Sequence, residues 1–153
     1  MAASHFTGPL ISGPILNTSG TTLGQDVADT GYAVLTQKAA VTQSATAAAT
    51  DIVIPANSAI ISIKLLVSVA WSSGTTTYTI SVGTSATATE LVAATNANAV
   101  GVLELSPGTT KAALDLWADT GTSDVRIYVK SGAPGSPAGS GTLLVTYVQA
   151  INA

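Results

Sequence analysis

Residues 60–71, IISIKLLVSVAW, constrain this chain more than any other stretch. Ile61, Ile63, Leu65, Val67, Val69 and Trp71 are apolar, and Ser62, Lys64, Ser68 and Ala70 fall between them. A repeat of two over that length specifies a strand with one face in a core. Burying such a face contributes roughly 10–15 kcal/mol gross, at about 1.5–3 kcal/mol per large side chain. Fixing the backbone costs about 1–2 kcal/mol per residue, so the strand requires partners. Leu66, on the other face with Ile60 and Ala70, points to a second apolar contact.

The other turn and strand signals follow the same logic. Tyr32–Gln43 reads as strand, Ser44–Thr50 as a small-residue link, and Asp51–Ile54 as a short strand closed by the turn Pro55-Ala56-Asn57-Ser58. Thr76–Gly83, with Tyr78, Ile80 and Val82 on one side, reads as the hairpin partner of the long strand. Ala86–Ala99 reads as loop with a helical turn at 90–94. Val100–Leu105, Ala112–Ala118, Asp124–Lys130 and Thr142–Ile151 complete the strands, with a flexible loop, SGAPGSPAGSG, before the last. About eight strands without a periodic helix predict an all-β fold, an antiparallel β-sandwich that is jelly-roll-like. The sandwich domain is expected over residues 32–153.

Residues 1–31 differ. Gly8, Pro9, Gly13, Pro14, Gly20, Gly24 and Gly31 deny this stretch a long helix or a central strand. Phe6, Leu10, Ile11, Ile15, Leu16 and Leu23 are nonetheless too apolar for a solvated tail. The expectation is an extended N-terminal arm whose six apolar side chains bind a partner surface.

Composition narrows the function. Of 153 residues, 8% are charged, about a third of the usual fraction, while 46% are hydrophobic. A surface so poor in charge docks against protein with little desolvation, and it suits life inside an assembly. A net charge of −3 with five scattered basic residues argues against nucleic acid. Ser62, Lys64 and Ser68 interrupt the apolar run, so no membrane span is expected. Nor does the N-terminus, MAASHFTGPLISGPIL, join a basic region to a continuous apolar run as a signal peptide does.

No catalytic constellation emerges, and no cofactor or metal site is expected. Ala-Asp-Thr-Gly occurs at 28–31 and 118–121 and matches the aspartic-protease signature, but at half the length of a two-lobed enzyme the motif reads as a turn. Asp115, Asp119 and Asp124 match no known cation-loop spacing. His5, the single histidine, falls in the arm, which excludes a triad. Trp71 and Trp117 each end an apolar alternation and read as core or rim rather than as sugar platforms.

Thr50–Gly83, TDIVIPANSAIISIKLLVSVAWSSGTTTYTISVG, resembles small structural proteins of tailed bacteriophages in its Ile-Pro-Ala turn, long alternating strand and Thr-rich strand ending in Val-Gly. Phe6-Thr7-Gly8-Pro9-Leu10 is similar to the openings of phage virion proteins. The resemblance implies a head decoration, or cement, protein: a non-enzymatic β-rich module that stabilises the head by bridging neighbouring coat subunits. It further implies the major capsid protein and self, as a homotrimer, for partners, and the capsid surface of the virion, assembled in the host cytoplasm, for location. A tail or fibre structural protein and a carbohydrate-binding β-sandwich remain as alternatives.

Overall fold

A computed structural model describes residues 34–71, 79–132 and 138–149. Its elements in chain order are β1 (Val34–Thr42), β2 (Ala48–Ile54), β3 (Ala59–Val69), β4 (Thr79–Gly83), β5 (Val92–Asn96), β6 (Gly101–Leu105), α1 (Lys111–Ala118), β7 (Val125–Ser131) and β8 (Ser140–Val148). The strands form two four-stranded sheets, ordered β1-β8-β3-β6 and β2-β7-β4-β5, and every pairing is antiparallel. The all-β sandwich expected from the turn spacing is therefore the fold.

β3 lies between β8 and β6, and its inward side chains meet those of the opposite sheet in one core. Ile63, Leu65, Val67 and Trp71 are buried there, facing a set that includes Ile52, Ile54, Ile80, Val82, Ile127 and Val129. β8 supplies Leu143, Val145 and Tyr147 at a strict repeat of two. Two bulges alter the phase expected of β3. The register with β8 shifts between Ile60 and Ser62 and again between Val67 and Val69. An extra residue in one strand reverses the side to which its neighbours point. Ile60 is consequently buried, whereas Ile61 and Val69 are 51% and 46% exposed.

Three further expectations are corrected. β3 and β4 do not form a hairpin, because they belong to different sheets and β4 pairs with β5 and β7. Residues 92–96 are strand rather than loop, since pairing with β4 overrides the weak local preference of Val-Ala-Ala-Thr-Asn. Lys111–Ala118 is a helix rather than a strand. Thr110 caps it by accepting from the Ala113 amide at 3.3 Å, and Lys111 pairs with Asp115 one turn on at 2.6 Å. Leu116 and Trp117 pack from the helix onto the core. β2 also begins earlier than expected, at Ala48, within the proposed link.

Polar side chains close one side of the sandwich. Gln37 of β1 donates through Nε2 to the Val53 carbonyl at 2.6 Å and to the Tyr147 hydroxyl at 2.7 Å. Its Oε1 accepts from the Val53 amide at 3.2 Å, so one side chain ties edge strand β1 to edge strand β2. Thr50 bridges the irregular stretch of β2, donating to the Ile127 carbonyl at 2.9 Å and accepting from the Ile52 amide at 3.2 Å.

Candidate docking face

Phe6, Leu10, Ile11, Ile15, Leu16 and Leu23 all lie outside the described residues, as do His5 and the first Ala-Asp-Thr-Gly. The second copy is a buckle between two loops. Thr120 donates its hydroxyl to the Pro55 carbonyl at 3.1 Å and accepts from the Ser58 amide at 3.2 Å. The Thr120 amide reaches the Ser58 carbonyl at 2.9 Å, and the Asn57 amide reaches the Gly121 carbonyl at 2.7 Å. Gly121 sits at φ +89°, where a side chain is strained, which explains the glycine of the motif.

The three aspartates do not converge. Asp115 serves Lys111, Asp119 accepts from the Gly121 amide at 2.8 Å, and Asp124 accepts from the Ala56 amide at 3.0 Å. No group of three potential metal ligands occurs among the described residues. Trp71 is buried, its Nε1 donating to Ser131 Oγ at 2.8 Å, so it offers no ring face to a sugar. Trp117 is half-buried and donates to the Leu91 carbonyl at 3.0 Å. No helix of the described residues is long and apolar enough to cross a membrane.

Glu90 holds together the turn after β4. Its carboxylate accepts from the hydroxyls of Ser85 and Thr87 and from the amides of Thr84 and Thr89, the last two at 3.2 and 3.0 Å. Burial raises the carboxyl's pKa, but the hydrogen bonds from Ser85, Thr87 and the nearby amides outweigh that effect and lower it from 4.5 to about 2. A Cβ at Gly83 would overlap this carboxylate and approach Ala88 Cα to 2.7 Å, so the strand must end in glycine. The cluster is structural: every partner of the carboxylate belongs to the same turn.

What remains is the outer face of β1-β8-β3-β6. Its registers place Lys38, Leu144, Lys64 and Glu104 in one row and Ala40, Thr142, Leu66 and Val102 in the next. Lys64 and Glu104 pair at 2.8 Å. Beyond the second row, Val69 stands opposite Ser140, and Val100 precedes Gly101, the partner of Val67. Leu66, Val69, Val100 and Val102 thus share one corner of the sheet. They are exposed, Val100 and Val102 by 68% and 66%. Antiparallel partners such as Leu66 and Val102 hold their Cβ atoms about 4.5–5.5 Å apart, so the corner is a contiguous apolar stripe.

Sequence reasoning anticipated an outer apolar contact but assigned it to Ile60, Leu66 and Ala70. The first β3 bulge moves Ile60 into the core, and the second brings Val69 out. Val102 in edge strand β6 and Val100 just before it, two apart in sequence, carried the signal for the remainder.

Neither a family model nor a curated protein matches the sequence. Two chains of solved phage capsid structures share the fold. One, from the capsid of Ralstonia phage GP4, superposes with a TM-score of 0.56 over 76% of this chain and 84% of its own, at 23% identity. The other, from the cyanophage Pam1 capsid asymmetric unit, gives a TM-score of 0.52 over 87% of this chain and 96% of its own, at 20% identity. At these identities the likeness is one of fold.

Proposed function

We propose that this chain is a virion structural protein of a tailed bacteriophage, a decoration or cement protein that sits on the capsid surface and bridges neighbouring coat subunits. The observation that carries the reading is the sandwich itself, shared over most of both chains with a chain in the Ralstonia phage GP4 capsid. The strand order β1-β8-β3-β6 against β2-β7-β4-β5 supports a jelly-roll description. The sparse charge and the apolar corner support a protein that works by burying surface rather than by turning over a substrate.

In this reading the major capsid protein and further copies of the chain, as a homotrimer, are the partners. The apolar positions of residues 1–31 act as the fastener. Mechanism is mechanical: surface buried across subunit boundaries must be re-exposed before the boundaries separate, so the shell resists internal pressure. Co-sedimentation of the purified protein with empty phage heads tests this. Saturable binding at a fixed number of copies per coat subunit is the expected result. Heads that pellet without the protein, at concentrations well above micromolar, refute it.

A further inference from the structure

We propose that the apolar corner formed by Leu66, Val69, Val100 and Val102, with the open edge of β6 beside it, receives the N-terminal segment of a second copy of this chain. The inference names the partner surface for the self-association proposed above and rests on it.

Four observations converge on this occupant. Among the described residues β6 pairs with β3 alone, so its other side offers backbone donors and acceptors to an added strand. The opposite side of the sandwich is different, because Gln37 there ties β1 to β2. Among the described residues the corner is uncharged, and Glu104 in the row beside it is paired with Lys64. Finally, the chain carries 33 residues before β1, with apolar side chains at Leu10, Ile11, Ile15 and Leu16. That segment contains Asp26 and Asp29 and neither lysine nor arginine, while the face it would cross presents Lys38, which makes no ion pair among the described residues.

The placement of β1 and of the corner sets the geometry of a contact between copies. β1 begins at Val34, opposite Val148, at one edge and one end of the sheet. The apolar corner lies at the other edge and the other end, beside the level where Thr42 and Ser140 pair. Donor and acceptor are therefore at diagonally opposite corners, as a head-to-tail contact requires, and a rotation that closes yields a ring rather than a filament. An extended chain reaches about 3.3 Å per residue, so the segment is long enough to span the gap to a neighbour.

The test uses full-length protein and no capsid, so its failure leaves the capsid reading standing. The chain contains no cysteine, so Leu16→Cys gives one site for a nitroxide label. Labelled chain is mixed with unlabelled chain enriched in nitrogen-15, and broadening of the amide signals is recorded. Broadening centred on Leu66, Val69, Gly101 and Val102 of the unlabelled chain is the expected result. Broadening centred elsewhere, none at all, or broadening seen only when label and nitrogen-15 are in the same chain overturns the proposal. The double variant Val100→Ser/Val102→Ser changes two exposed side chains and should keep the melting temperature. Its self-association by sedimentation should weaken by about tenfold or more, and unchanged association also overturns the proposal.

Discussion

Replacing Glu90 with glutamine should convert a pH-dependent part of the stability into a constant one. The folded carboxyl titrates at about 2 against an ordinary 4.5. Its folded pKa is depressed, so the stabilisation is fully present above about pH 4.5 and is lost as pH falls through about 2. At about 1.4 kcal/mol per pH unit, the gap sets a ceiling of about 3 kcal/mol. The side chain is half-exposed, and solvent screening reduces this to about 1–2 kcal/mol. Urea unfolding of wild type and Glu90→Gln between pH 2 and pH 7 isolates the contribution of this carboxyl from the chain's other acidic groups. The wild type should be more stable by about 1–2 kcal/mol near pH 6–7, with the difference vanishing towards pH 2. A difference that is constant with pH, or that grows as pH falls, refutes the account of the Ser85–Thr87–Glu90 turn.

Four substitutions test the packing. Val67→Asp should cost about 3–5 kcal/mol or prevent folding, because the charge has no partner in the core, whereas Val69→Asp, two residues on but outside the core, should cost less than about 1 kcal/mol; equal melting temperatures would show that the second β3 bulge is wrongly placed. Gly139→Ala puts a Cβ 2.7 Å from Trp71 Cδ2 and 2.8 Å from Trp71 Cα, so stability should fall by about 1–3 kcal/mol, with a change in tryptophan emission as the local reporter. Thr120→Val removes the hydroxyl that joins Pro55 to Ser58 and should cost about 1–3 kcal/mol in denaturant unfolding; a neutral result would mean that the buckle does not hold the two loops.

The central strand was legible because its alternation is long, and β7 and β8 because inward Val, Ile and Leu alternate without interruption. The bulges were not legible. A run such as Ala59-Ile60-Ile61-Ser62 reads equally well in either phase, and only the register with β8 decides which isoleucine is buried. Helix α1 was misread because Ala112, Leu114 and Leu116 alternate like a strand. The competing signals, a Thr110 cap and a Lys111–Asp115 pair four apart, were present. β5 could not be found locally, since its small residues become strand through pairing with β4. Part of the docking corner was readable in Leu66, but Val69 joined it only through the bulge, and Val100 and Val102 only through the pairing of β6 with β3.

Electron cryomicroscopy of heads assembled with and without this protein tests the proposed capsid role most directly. The account predicts difference density the size of the two-sheet sandwich, repeated over the outer surface at junctions between coat subunits. Difference density confined to the tail or its fibres, or identical maps from the two preparations, would contradict it.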